Sequence, residues 1–120
     1  MHAIRSNTAP YIEGDGEQRR DMINVEDVVR ANIFCMERPQ NFGGSVYEVG
    51  TGENISLNQI KELVNRHFPE VDFEFRPPRP GDVKETRANI VPLKKMGWSA
   101  TINIFDGIED CFARVRNEIK

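Results

Sequence analysis

At 120 residues the chain is long enough for one domain with a single modest core. Its 16 basic and 19 acidic residues leave a net charge of −3 and a pI of about 5.4, which argues against a nucleic-acid partner. A composition of 38% hydrophobic and 29% charged residues excludes a disordered chain, and no apolar run approaches a membrane span. Met1-His2-Ala3-Ile4-Arg5 lacks the apolar stretch of a secretion signal, so the cytoplasm is the expected location.

Residues 1–9 are expected to be a frayed lead-in and residues 10–120 the single domain. Tyr11-Ile12 predicts a short strand before a turn at Gly14-Asp15-Gly16, and Met22 to Val25 a second short strand. Asn24 with Asp27 three residues on starts a helix. Val28, Ala31, Asn32 and Cys35 recur at helical spacing until Pro39 stops the run. Asn41 to Ser45 is a loop, Val46 to Val49 a strand, and Gly50-Thr51-Gly52 a tight turn that lacks the Lys-Ser/Thr of a phosphate loop. Ser56 and Gln59 form a capping box, followed by a helix with Ile60, Leu63, Val64 and His67 on one face. His67 is expected to meet that helix's terminal carbonyls.

Val71, Phe73 and Phe75 alternate with Asp72 and Glu74, the pattern of a half-buried strand. Three prolines make Arg76 to Gly81 an extended loop. Asn89 caps a short helix that turns Ile90, Leu93 and Met96 inward, tolerates Pro92 in its first turn and ends at Gly97, with Trp98 in the core. Asn103 caps the last helix, with Ile104, Ile108, Cys111, Phe112 and Val115 toward the core. The expected fold is a small α/β domain with a few short strands, some of them paired in parallel, and three to four helices. Cys35 and Cys111 are expected as reduced core thiols. His2 and His67, the only histidines, give no metal cluster.

Two stretches carry the specific chemistry. Gly14-Asp15-Gly16-Glu17-Gln18-Arg19-Arg20-Asp21 and Arg79-Pro80-Gly81-Asp82-Val83 each set an arginine in glycine-bearing, acidic backbone. Two separated arginines that converge make a clamp for a phosphate-bearing ligand, because a guanidinium fork fits two phosphate oxygens at once. An ordinary alternative for Arg20 is a surface pair with Asp21 or Glu17. Asp21 is expected to hold the loop through backbone N–H groups. Gln18 either supports the loop, reaches the ligand or is solvated, and Arg76 is a further candidate. Glu13, Asp15 and Glu17 suit a solvated turn better than a metal site.

These stretches resemble the C-terminal part of the extended short-chain dehydrogenase/reductase family, the NAD-dependent nucleotide-sugar epimerases and dehydratases. The resemblance also rests on Val25-x-Asp27-Val28, Tyr47-Glu48-Val49-Gly50-Thr51-Gly52, Ala88-Asn89-Ile90 and Gly97-Trp98, which occur in the family's order. Glu48 stands where asparagine is common in that family, and Arg87 where an apolar or aromatic residue is more usual. The resemblance implies that Arg20 and Arg79 meet the diphosphate of a nucleotide sugar, UDP- or dTDP-linked first, from opposite sides. It implies that Asp82 lies near the ribose, where it accepts hydroxyl hydrogen bonds or else caps the following segment.

The family's other half is not matched. There is no G-x-G-x-x-G after a strand, and Tyr11 and Tyr47 are followed four residues on by Asp15 and Thr51 rather than by lysine. The chain is therefore expected to be a substrate-binding lobe with no catalytic residue and no cofactor of its own. NAD is implied for a full-length relative, whose tyrosine acid/base and NAD would exchange hydride through a 4-keto sugar. The alternative is a non-catalytic interaction domain that keeps the fold and self-associates or docks a partner such as a dinucleotide-binding half.

Overall fold

The computed structural model of the chain describes residues 2–39 and 42–119. In chain order they form α1 (His2–Arg5), β1 (Tyr11–Glu13), β2 (Arg19–Arg20), α2 (Val25–Met36), β3 (Ile55–Ser56), α3 (Leu57–His67), β4 (Glu74–Arg76), α4 (Val91–Met96) and α5 (Ile104–Ile119). The small α/β architecture is the expected one. The four helices legible in sequence are joined by the extra turn α1.

Local chemistry sets the helix ends. The Asn24 side chain accepts from the Glu26 N–H, and Glu26 and Asp27 lie in the positive first turn of α2. At α3 the Gln59 N–H donates to Ser56 Oγ (3.1 Å), and the Ser56 N–H donates to Gln59 Oε1 (3.0 Å). α4 stops at Gly97, whose φ of 108° is costly for any residue with a Cβ. Asn103 Oδ1 caps α5 by accepting from the Phe105 N–H at 2.8 Å.

Three buried clusters hold the elements together. α3 and α5 pack through Val64, Phe68, Phe112 and Val115. Ala31 of α2 meets Leu93 and Trp98. Ile55, Leu63 and Ile104 join β3, α3 and α5. Each such side chain, fully buried, contributes about 1.5–3 kcal/mol relative to exposure.

The strands form two pairs. β1 runs parallel to β4, with Tyr11 opposite Glu74 and Glu13 opposite Arg76. β2 runs antiparallel to β3, with Arg19 opposite Ser56 and Arg20 opposite Ile55. A parallel bridge from Arg19 to Glu85 adds a third rung beside β2. No helix is long and apolar enough to cross a membrane among the described residues.

Several local expectations are corrected. The described part of the lead-in is not frayed: Ile4 packs against the α3–α5 cluster and Arg5 pairs with Glu118 at 2.6 Å. Met1, Asn41 and Lys120 lie outside the described residues. Met22 to Val25 is not a strand; Met22 and Ile23 serve as core plugs, and the pairing falls earlier, on Arg19–Arg20. Val46 to Val49 pairs with no strand among the described residues. The expected strand around Phe73 shortens to β4, where Phe75 is exposed, although Val71 and Phe73 do pack on the core. Cys35 is half-buried as expected, but Cys111 is exposed, because the inward face of α5 runs through Ile104, Ile108, Phe112 and Val115. His67 does not reach the end of α3 with its ring. Arg116 donates to the His67 carbonyl instead, and His67 Nε2 is buried without a hydrogen-bond partner.

Asp27 is the buried charge of the fold. It is fully inaccessible and accepts from the Thr101 N–H, the Thr101 hydroxyl and the Ile102 N–H (3.0 Å), while Arg30 pairs with it at 2.9 Å. Burial alone would raise this carboxyl. The two backbone N–H groups, the hydroxyl and the guanidinium outweigh burial and hold it below 3.8. A carboxyl depressed in the folded state stabilises above its unfolded value, and that contribution fades as pH falls through the folded one. Asp27→Asn should therefore cost about 2–4 kcal/mol at pH 7 in urea unfolding. The gap from wild type should narrow below about pH 4. A pH-independent gap would contradict the assignment.

Candidate functional site

Parallel pairing of β1 with β4 brings their C-terminal ends to one side, so the loops that follow them lie together. The Gly14 N–H donates to the Arg76 carbonyl at 2.8 Å, closing the ladder where the first loop begins. The first loop then closes on itself. The Glu17 N–H donates to Asp15 Oδ1 (2.9 Å), and Gln18 Nε2 donates to the Glu13 carbonyl (2.7 Å). Gly16 has φ of 80° and packs against the Asn58 side chain, which an added Cβ would meet at 2.1 Å. Asn58 in turn donates to the Asp15 carbonyl at 3.0 Å.

β2 carries Arg20 to the second loop. Its Nη2 meets Asp82 Oδ1 at 2.7 Å, and its Nη1 donates to the Arg19 carbonyl. Arg79 reaches the same Asp82 oxygen at 3.7 Å and Glu13 Oε2 at 3.9 Å. The two candidate arginines thus share one carboxylate oxygen, and Arg20 pairs with neither Asp21 nor Glu17. The Arg20 side chain is 25% exposed and that of Arg79 68%. Between the loops lies a groove of about 640 Å³ whose wall includes Glu13, Asp15, Gln18, Arg79, Asp82 and Lys84. Arg20 is not on that wall; it stands behind Asp82.

Arg19, the neighbour, is structural. Its Nε donates to Asn54 Oδ1 at 2.8 Å, and Asn54 Nδ2 passes the contact to Glu85 Oε1 at 2.8 Å. Arg76 lines the groove but stacks over the Tyr11 ring at 3.7 Å and pairs with Glu74 at 3.2 Å. Lys84 is the residue that sequence reasoning missed. It lines the groove and has no ion pair among the described residues. Its place two residues beyond Asp82, in an extended run, was the available signal.

Asp21 holds the frame, as its position predicted. It accepts from the Thr51 N–H (3.1 Å) and hydroxyl (2.7 Å), the Gly52 N–H (3.0 Å) and the Ala88 N–H (3.1 Å). The Gly50-Thr51-Gly52 turn is consequently no phosphate cradle, because its donors already serve this carboxylate. Among the described residues no group of His, Cys, Asp and Glu could hold a metal ion.

Asp21→Ala should strand three backbone donors and cost about 1–3 kcal/mol. Amide exchange at Thr51, Gly52 and Ala88 should quicken together. Faster exchange at one of the three alone would count against a shared anchor.

Residues 1–50 match the NAD dependent epimerase/dehydratase family. The UDP-glucose 4-epimerase of Mycolicibacterium smegmatis is 30% identical over 118 residues, covering 97% of this chain and 37% of that protein. A crystal structure of UDP-glucose 4-epimerase with UDP-glucose from Thermotoga maritima superposes with a TM-score of 0.82 at 29% identity, covering 98% of this chain and 38% of that one. MoeE5 in complex with UDP-glucose and NAD superposes with a TM-score of 0.84 at 26% identity, covering 96% and 39%. In sequence and fold the chain is thus similar to the extended short-chain dehydrogenase/reductase epimerases and dehydratases. It spans little more than a third of the length of these relatives.

Proposed function

We propose that this chain, similar to NAD-dependent nucleotide-sugar epimerases and dehydratases, is the substrate-binding part of such a protein. Its groove takes the diphosphate of a nucleotide sugar. The observation that carries the reading is the meeting of Arg20, Arg79 and Asp82 across two loops at the ends of parallel strands. The relatives' names point to UDP-sugars as the first ligands to try.

Arg79 and Lys84 supply the exposed positive groups, and a diphosphate oxygen is a stronger partner for a guanidinium than a carboxylate 3.7 Å away. Arg20 acts through Asp82. By holding that carboxylate it fixes the loop and leaves the outer Asp82 oxygen free to accept from a ribose hydroxyl. Gln18, bound to the Glu13 carbonyl, keeps the opposite wall in place.

The chain's own residues do not fit NAD. The glycine turn at 50–52 is satisfied by Asp21. NAD, where bound, supplies hydride exchange with the sugar, and here that chemistry belongs to the remainder of a full-length protein. Neither tyrosine has the lysine four residues on that the family's hydride chemistry uses, since Asp15 follows Tyr11 and Thr51 follows Tyr47. The chain's part is to bind and orient.

Titration with UDP followed by NMR shifts tests the reading. Arg79→Ala should weaken binding by roughly ten- to a hundredfold at low salt, the equivalent of one charge-assisted contact, and Arg20→Ala should weaken it by releasing Asp82 and its loop. Arg114→Ala should not, since that guanidinium pairs with Asp110 on α5. Added salt should weaken the wild type more than Arg79→Ala, which has already lost its charge contact. Equal UDP affinity in all four proteins would remove the groove from consideration.

A further inference from the structure

β4 has a strand on one side only. Parallel pairing turns the backbone of Glu74 and Arg76 toward β1. The Glu74 N–H donates to the Pro10 carbonyl at 2.9 Å, and the Arg76 carbonyl accepts from the Gly14 N–H at 2.8 Å. Successive residues of a strand face opposite edges, so Phe75 turns its N–H and carbonyl outward. Neither group has a partner among the described residues. All three residues of β4 are exposed, Phe75 by 51%, with Lys61 over its ring at 5.3 Å. Two strands with a bare edge are marginal on their own and a template for a third. The outer edge of β1 differs, because the Glu13 carbonyl there is taken by Gln18 Nε2 at 2.7 Å.

The charges along the bare edge complement their own reversal. Glu74 and Arg76 flank Phe75 and pair with each other at 3.2 Å within the chain. Two copies set antiparallel about a two-fold axis at Phe75 would exchange both outward backbone bonds of that residue. Glu74 of each copy would then stand opposite Arg76 of the other, with the two Phe75 rings side by side. Phe73, two residues earlier on the same edge, would donate to the Pro77 carbonyl of the second copy. Pro77 has no N–H to return that bond, so the ladder stops there. Parallel, in-register copies would instead set Glu74 on Glu74 and Arg76 on Arg76, a like-charge arrangement.

We infer that the outer edge of β4 is a self-association surface, on which a second copy of this chain completes a four-stranded sheet in the order β1-β4-β4-β1. The inference goes beyond the groove and holds whichever ligand the groove takes. The pairing is closed: it uses the same edge on both copies and leaves neither for a third, so it ends at a dimer rather than a fibre. The contact rests on a short ladder, one phenylalanine from each copy and two exposed ion pairs. Such a dimer is weak and concentration-dependent.

Sedimentation equilibrium from about 10 μM to about 1 mM tests it, and reversible monomer–dimer exchange is expected in that range. Glu74→Arg and Arg76→Glu each place two like-charge pairs in the interface and should weaken association by about tenfold or more. The chain carrying both substitutions re-forms the pairs in the opposite sense and should regain wild-type association to within about threefold. That recovery separates a lost contact from a lost fold. Amide exchange reads the ladder itself. As concentration rises, the Phe75 amide should slow more than those of Glu74 and Arg76, which already bond to β1 in the monomer. A chain monomeric throughout the range, a dimer indifferent to both single variants, or a double variant no better than the singles would each overturn the inference. A dimer whose Phe75 amide exchanges as fast as the monomer's would do the same.

Discussion

The arrangement of the site depends on one carboxylate that never faces the groove. Asp21 follows β2 directly and gathers N–H groups from the Gly50–Gly52 turn and from Ala88. The β2–β3 pairing and the Arg19–Glu85 bridge bring these distant segments side by side, and Asp21 joins them just beyond the last rung. Gly50 is required for the same reason: a Cβ there would stand 2.4 Å from that of Ala88 and 2.8 Å from Asp21 Oδ2. Because Asp21 is adjacent to Arg20, the anchor that joins three segments also fixes where Arg20 can point. Asp27 does the equivalent for α2, tying its first turn to Thr101 and Ile102 ahead of α5.

Around that frame the groove is electrostatically divided. Glu13, Asp15, Glu17 and Asp82 contribute negative charge to its lining, and Arg76, Arg79 and Lys84 positive charge. Most of these groups already have partners, Arg76 through Glu74 and Tyr11, Asp82 through two guanidiniums. A diphosphate entering such a groove exchanges existing contacts for better ones rather than filling an empty field. Net affinity is then the difference between two sets of charge-assisted bonds, and a weak solitary complex is the physical expectation.

What could be read in the sequence was what local chemistry determines. The Ser56–Gln59 box, the Asn103 cap, the Gly97 stop and the core stripe of α3 depend on residues within a turn of each other, and each is where the pattern placed it. The pairing of Arg20 with Asp82 across 62 positions was not a matter of pattern, and the meeting of the two arginine loops followed only from the family resemblance. Strand positions misled wherever apolar residues were plugs rather than rungs, as at Met22 and Ile23. Asp27 stands in the first turn of α2 as its position predicts, but its complete burial as a charge depends on Thr101 and Ile102, more than seventy residues on, which no local window contains.

The strand expected at Val46 to Val49 is instructive in a different way. Its alternation is sound: Tyr47 is inside and Val46 outside. What is lacking among the described residues is a paired neighbour, and a strand is defined by its hydrogen-bonded partner as much as by its residues. The same holds for α2, whose outer residues Val25, Val29, Ile33 and Met36 have helical spacing and are exposed among the described residues. Propensity and periodicity describe the structure a segment is suited to, while the fold of these 120 residues supplies only part of the surroundings. On both segments the residues that fix suitability lie within a few positions of each other, whereas those that would fix contact do not, and the two are settled independently.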